Sequence, residues 1–175
     1  CGHYYWQRLV EPSSWLEPFR ALFGDEREDY AAALQRHYAS GAPADWGQRF
    51  VSAYATAHPW EDWAETWAHY LHMVDLLETA ASLGTRVIVP GPSQPARAEG
   101  ADPFAGSPPE FNALVAQWVP LTLMVNSLNR SLGQEDAYPF ALSPRALDKL
   151  RFVHEMVQAP RAEYEAGENR VRSGS

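Results

Sequence analysis

The run His58-Pro-Trp-Glu-Asp-Trp-Ala-Glu-Thr-Trp-Ala-His-Tyr-Leu-His72 sets three tryptophans, three acids and three histidines within fifteen residues. Wound as an α-helix from Glu61, it places Glu61, Asp62, Glu65, His69 and His72 within about one 100° sector. Trp60, Trp63, Trp67, Tyr70 and Val74 fall on the other side. Such a segment must bury one face on an aromatic core and leave the other for groups that bind a metal or move protons. The polar stripe contains neither Lys nor Arg. Like charges at i,i+4 cost a few tenths of a kcal/mol, so three acids without local pairing favour a bound cation over a simply solvated face.

Start and stop signals extend this reading along the chain. Residues 4–10 are the end of an apolar helix stopped near Pro12. A helix is predicted from Asp25 to Tyr38, with acids in its first turn and Gly41 just beyond it. Helical spacing at Trp46, Phe50 and Ala53/Tyr54 predicts another over Asp45–Ala57. Pro59 opens the central helix, which runs to about Leu83 with Gly84 as its stop. Thr85–Pro90 is a short extended candidate, and the Pro-, Gly-, Ala- and Ser-rich stretch from Pro90 to Gly106 is a surface loop. Ser107-Pro-Pro-Glu110 then caps a helix with Pro108 at its first position, running to about Leu132 with a kink at Pro120. Ser143-Pro-Arg starts a last helix that ends before Pro160. Trp118, Leu121, Leu123, Leu128, Leu147, Leu150 and Phe152 are core candidates. The fold class is mainly α. A single domain over residues 1–160 is followed by a polar tail, 161–175.

The chain has 175 residues, 46% of them hydrophobic and 13% aromatic, enough for one sizeable core. A net charge of −8 leaves no basic stripe for phosphates, which excludes nucleic acid as the expected partner. No uninterrupted apolar run approaches the roughly 20 residues of a membrane span, so no membrane association is expected. One cysteine allows no internal disulfide and suits a reducing, cytoplasmic compartment. The sequence opens at Cys1 rather than Met. Three origins compete: a piece of a longer protein, a lipoprotein cleaved before its cysteine, or an autoprocessed enzyme with Cys1 as nucleophile. The first is preferred, because lipidation at Cys1 would discard the helix on which His3 makes sense, and Cys1 has no assigned base.

Zinc sites built on a helix use two histidines on one face, with an intervening Glu as general base. His3 could only be the second histidine of such a pair, the first falling ahead of residue 1. His154-Glu155 begins a similar pattern but reaches Gln158 at its fifth position, so it is assigned to a surface helix.

The segments Gly2-His-Tyr-Tyr-Trp6, Phe19-Arg-Ala-Leu-Phe-Gly-Asp25, Tyr30-Ala-Ala-Ala-Leu34 and His58–His72 together resemble a bacterial family of zinc-binding metallopeptidases. Its members carry a zinc ribbon ahead of a zincin-like domain, and in it Gly-His-Tyr-Tyr-Trp ends a His-Glu-x-Gly-His motif. The resemblance spans residues 1 to about 160 and implies a zincin-like helical subdomain, Zn²⁺ as cofactor and a peptide or protein substrate. By it the first His and the Glu of the motif precede Cys1, so these residues alone would not assemble a complete site. A remoter resemblance to gluzincin-like peptidases, in which a Tyr stands seven residues before Glu-x-x-Ala-Glu, implies roles for three further residues. Glu61 becomes the third zinc ligand beside His3, Tyr54 the donor to the reacting oxyanion, and Glu65 a group behind the ligands that orients an imidazole. His58, Asp62 and His69 stand behind the site or on the surface, and His72 has no assigned role. The competing reading is a non-enzymatic α-helical binding module whose stripe is structural or empty.

Overall fold

Helices carry most of the chain, as its patterning requires. The computed structural model describes residues 1–90, 95–99, 102, 109–138 and 142–159. In chain order it has α1 (Gly2–Tyr5), α2 (Leu16–Phe23), α3 (Tyr30–Ser40), α4 (Pro59–Ser82), strands β1 (Arg86–Val89) and β2 (Ala96–Glu99), α5 (Phe111–Ser131) and α6 (Pro144–Gln158). The fold is mainly α, with one two-stranded sheet among the described residues. It divides into two compact units, one formed by Cys1–Tyr70 with Leu142–Ser175 and the other by Leu71–Ala141.

The first unit is organised around Trp63, which is fully buried. Its ring meets Phe19 and Phe23 of α2 at 6.1 and 6.0 Å, Trp67 at 5.4 Å and Phe152 of α6 at 6.3 Å. Edge-to-face and tilted pairs of this kind add about 0.5–1.5 kcal/mol each beyond the area they bury. The apolar face expected of α4 is therefore where the core sits. Pro59 opens α4, and His58 caps it. The Nδ1 of His58 accepts the Trp60 N–H at 3.0 Å, and its Nε2 donates to the Glu28 carbonyl at 3.1 Å. The two bonds together fix the neutral tautomer and tie the start of α4 to the loop before α3.

Several boundaries differ from the sequence expectations. The first helix passes without a break into a π-helical stretch, Trp6–Val10, before ending near Pro12. The helix α2 was not anticipated. The helix expected from Asp25 begins only at Tyr30, because Asp29 caps it by accepting the Ala32 N–H, while Asp25 and Glu26 are engaged by Arg27 and Arg20. Asp45–Ala57 forms two short 3₁₀ turns, Trp46–Gln48 and Tyr54–Thr56, rather than one helix. There Ser52 Oγ accepts the Ala55 N–H, a side-chain bond that competes with helical continuation. At α6, Ser143 caps through Ala146 N–H with Pro144 at the first position, as expected. His154 is not on the surface: it is buried, with the Tyr70 hydroxyl 3.1 Å from its Nδ1.

In the second unit β1 pairs antiparallel with β2, Arg86 opposite Glu99, and α5 packs on both strands. The extended segment at Arg86–Val89 was anticipated; its partner strand lies within the expected loop. Helix α5 starts at Phe111, with Glu110 at its N-cap, and continues through Pro120. Ser107, Pro108 and the tail 161–175 lie outside the described residues. Leu128 is exposed rather than core. Contrary to expectation, α5 is long and apolar enough for a membrane span by length and composition alone, with mean hydropathy 1.2. Its buried Phe111, Leu114, Trp118 and Leu121 recur at the three- and four-residue spacing of a core helix. Asn126 ties its end to the following turn, donating to the Tyr138 carbonyl and accepting the Ala137 N–H.

Candidate metal centre

Helices α1 and α4 touch backbone to backbone. A Cβ placed on Gly2 would stand 2.7 Å from the Ala64 Cα, so only glycine fits. Trp63 closes the same contact by donating its indole N–H to the Gly2 carbonyl at 2.8 Å. This approach sets His3 over the first turn of α4, with its Nε2 3.3 Å from Glu61 Oε1. The Glu61 carboxylate is almost fully buried, whereas the His3 ring is about half exposed, 48% against 7%. Tyr30, the first residue of α3, donates its hydroxyl to the same Oε1 at 2.5 Å. That bond, followed by burial and the Glu61 charge, pushes the Tyr30 phenol up to about 12. The sequence reading had not singled out Tyr30. Its signal was that it opens Tyr30-Ala-Ala-Ala-Leu34, one of the segments that carry the family resemblance.

The other sequence candidates find different partners. Tyr54 lies in the second 3₁₀ turn with its ring edge-on to His37 at 5.8 Å. Burial first, then the Glu61 charge and a hydrogen bond with Tyr38, hold its phenol above the ordinary range. Glu65 accepts the Ser52 hydroxyl at 2.7 Å. Asp62 is neither on the surface nor unpaired. It is buried against Lys149 of α6, whose Nζ lies 2.5 Å from Oδ2, bonds the Arg49 carbonyl and sits 4.1 Å from the Phe50 ring centre. His58 is the helix cap already described. His69 donates from Nδ1 to the Glu65 carbonyl of its own helix at 2.9 Å. His72 belongs to the second unit, its ring against Tyr138. The stripe is thus divided, and His3, Tyr30 and Glu61 form the cluster that remains.

Over residues 1–156 the chain matches the family described as "Putative zinc-binding metallo-peptidase". It belongs to that family. Uncharacterized proteins of Mycobacterium bovis and of two Mycobacterium tuberculosis strains are each 45% identical to it over 170 residues. The match takes in 97% of this chain and 47% of theirs, so the chain spans about half the length of these relatives. No solved structure matches it.

The family's zinc-binding description can be compared with the donors present. Two atoms bound to one tetrahedral zinc at about 2.0–2.1 Å each lie roughly 3.3–3.4 Å apart. The His3–Glu61 separation of 3.3 Å equals that value, though it equally suits an ion pair. An imidazole and a carboxylate are also the donor types zinc takes. Among the described residues no set of three His, Cys, Asp or Glu gathers as a complete site. The donors fit zinc as two members of a larger set.

Two cavities flank these groups. One of about 220 Å³ is lined by His3, Trp6, Gln7, Tyr30 and Trp60. A larger one of about 520 Å³ is bounded by α3 and the 50–59 segment, with Arg36, His37, Thr56, His58 and Asp62 in its wall. The larger cavity excludes His3 and Glu61. Its His58 and Asp62 are committed to a cap and an ion pair, so the smaller one is the cavity that adjoins the candidate metal donors.

Proposed function

We propose that this domain is the catalytic part of a zinc-dependent peptidase in which His3 and Glu61 are two of three protein ligands. The observation that carries the reading is the 3.3 Å approach of His3 Nε2 to the buried Glu61 carboxylate. Family membership supports it. The first His and the Glu of the motif, which the resemblance places ahead of Cys1, would supply the third ligand and the general base. When bound, zinc contributes Lewis acidity toward a peptide carbonyl and makes water a stronger acid. The chain's own residues do the rest. Tyr30 holds Oε1 of Glu61 and so fixes the carboxylate's orientation, as outer hydrogen bonds do for metal ligands. The close Gly2–Ala64 contact holds His3 at its distance. Tyr54 stays protonated well past neutrality and is assigned as donor to the developing oxyanion. Glu65, braced by Ser52, backs the first turns of α4.

Metal content and hydrolysis test this together in the full-length protein. Wild type should hold one zinc per chain beyond any held by the zinc ribbon, and cleave unstructured peptides. Glu61→Gln should weaken zinc binding by at least about tenfold. Tyr54→Phe should keep its zinc and lose roughly 10²–10³ in kcat. Unchanged zinc affinity in Glu61→Gln rules out the ligand assignment, and full turnover by Tyr54→Phe rules out the oxyanion role.

A further inference from the structure

The 220 Å³ cavity beside His3 has an unusual wall. Trp6, Tyr30 and Trp60 surround it, with His3 and Gln7 exposed at its mouth and Trp6 buried at its base. The rings stand at steep angles to one another. Trp6 and Trp60 meet at 65° and 5.5 Å, His3 and Trp60 at 67° and 6.5 Å, and Tyr30 and Trp60 at 49° and 6.1 Å. A space walled this way offers both ring faces and ring edges, which suits a guest ring in edge-to-face contact. The size is right as well: a dry cavity of about 150 Å³ is enough to take up benzene.

Aromatic walls can also hold cations. Here the charge at the mouth argues otherwise. His3 is shared between the cavity and the proposed zinc donors, so a cationic guest would sit beside a divalent metal. Glu61 is not in the cavity wall and is engaged by Tyr30 and His3. A neutral ring is the occupant these features select.

We infer that this cavity is a recess for an aromatic side chain of the peptide substrate, on the residue next to the bond presented to His3 and Glu61. Gln7 at the mouth supplies an amide for the peptide backbone. The inference rests on the peptidase reading and adds a substrate class to it. Tyr30 then has two jobs, since its hydroxyl holds Glu61 while its ring walls the recess.

The test uses the full-length protein with its zinc bound, carrying ¹⁵N-labelled tryptophan and titrated with N-acetyl-phenylalanine amide, N-acetyl-alanine amide and N-acetyl-arginine amide. The phenyl probe should shift the Trp6 and Trp60 indole signals saturably and bind at least about tenfold tighter than the other two. Trp60→Ala should abolish the effect. If that variant is poorly folded, Gln7→Trp at the exposed mouth should fill the recess from outside and block the probe with the melting temperature unchanged. No saturable shift, equal binding of the arginine probe, or undiminished binding to a folded Gln7→Trp would overturn the inference. Phenyl selectivity in a full-length protein that binds no zinc at His3 and Glu61 supports the recess and sinks the peptidase reading alone. Zinc-dependent cleavage without phenyl selectivity sinks the recess alone.

Discussion

Gly2 and Ala64 leave no room for a side chain between them: a Cβ on Gly2 would lie 2.7 Å from the Ala64 Cα and 3.0 Å from its Cβ. The close contact is with backbone, which cannot rotate away. It is also one residue from His3 and three from Glu61, so this close point between α1 and α4 sets the proposed ligand spacing.

Gly2→Ala should therefore destabilise the protein although alanine favours helix by up to about 1 kcal/mol over glycine. Forcing a methyl into packed backbone costs about 1–3 kcal/mol, and the clash wins. Gly47→Ala is the control, since nothing lies within 4 Å of its Cβ. Urea denaturation of the two variants decides the matter. Equal stabilities would show that the α1–α4 contact yields freely.

The buried pair Asp62–Lys149 makes a second prediction. Lys149→Met strands a buried carboxylate and should cost about 3–5 kcal/mol, whereas Asp62→Asn with Lys149→Met should recover most of that loss. Burial raises the Asp62 carboxyl above the usual range, and Lys149 pulls it back down. Removing Lys149 raises it further. A carboxyl with a raised folded pKa holds its proton more tightly in the native state, so its contribution to stability falls as pH rises through that pKa. The deficit of Lys149→Met should thus shrink in acid. With Lys149 present the Asp62 carboxyl is already pushed up to about 7, so a deficit constant between about pH 6 and 9 would contradict the assignment.

Tyr30 should titrate at about 12, and Glu61→Gln should bring it back toward the ordinary value near 10. The sign is that of a raised phenol. The stabilisation from the Tyr30–Glu61 bond is complete below about pH 10 and lost as pH climbs through the folded pKa. Ring-carbon NMR of Tyr30 across the alkaline range reads this directly. A Tyr30 titration unmoved by Glu61→Gln would show that the hydroxyl is not held by Glu61 in solution.

The elements best foreseen are those whose signals are local. Pro59 and Gly84 bracket α4, Ser143-Pro144 opens α6, and the spacing of Trp63, Trp67, Tyr70 and Val74 marks the buried face. Pairings across long sequence separations were not visible. The stripe of acids on α4 looked unpaired because its partners come from elsewhere: Lys149 for Asp62, Ser52 for Glu65, and Tyr30 with His3 for Glu61. The argument that these acids call for a cation survives only at Glu61. His58 illustrates the same limit. Expected to stand behind the site or on the surface, it spends both ring nitrogens on backbone groups, one of them 30 residues away. The helix α2 escaped notice because Pro18 interrupts its apolar pattern within the first turn, where proline is in fact tolerated.

The central claim is that His3 and Glu61 grip one metal ion. Anomalous diffraction at the zinc edge, from crystals of the full-length protein, tests it most directly. The account predicts one peak within about 2.0–2.2 Å of both His3 Nε2 and a Glu61 carboxylate oxygen, separate from any peak of the zinc ribbon, and loss of that peak in Glu61→Gln. No zinc peak bonded to these two residues, or one of equal height in Glu61→Gln crystals, would contradict it.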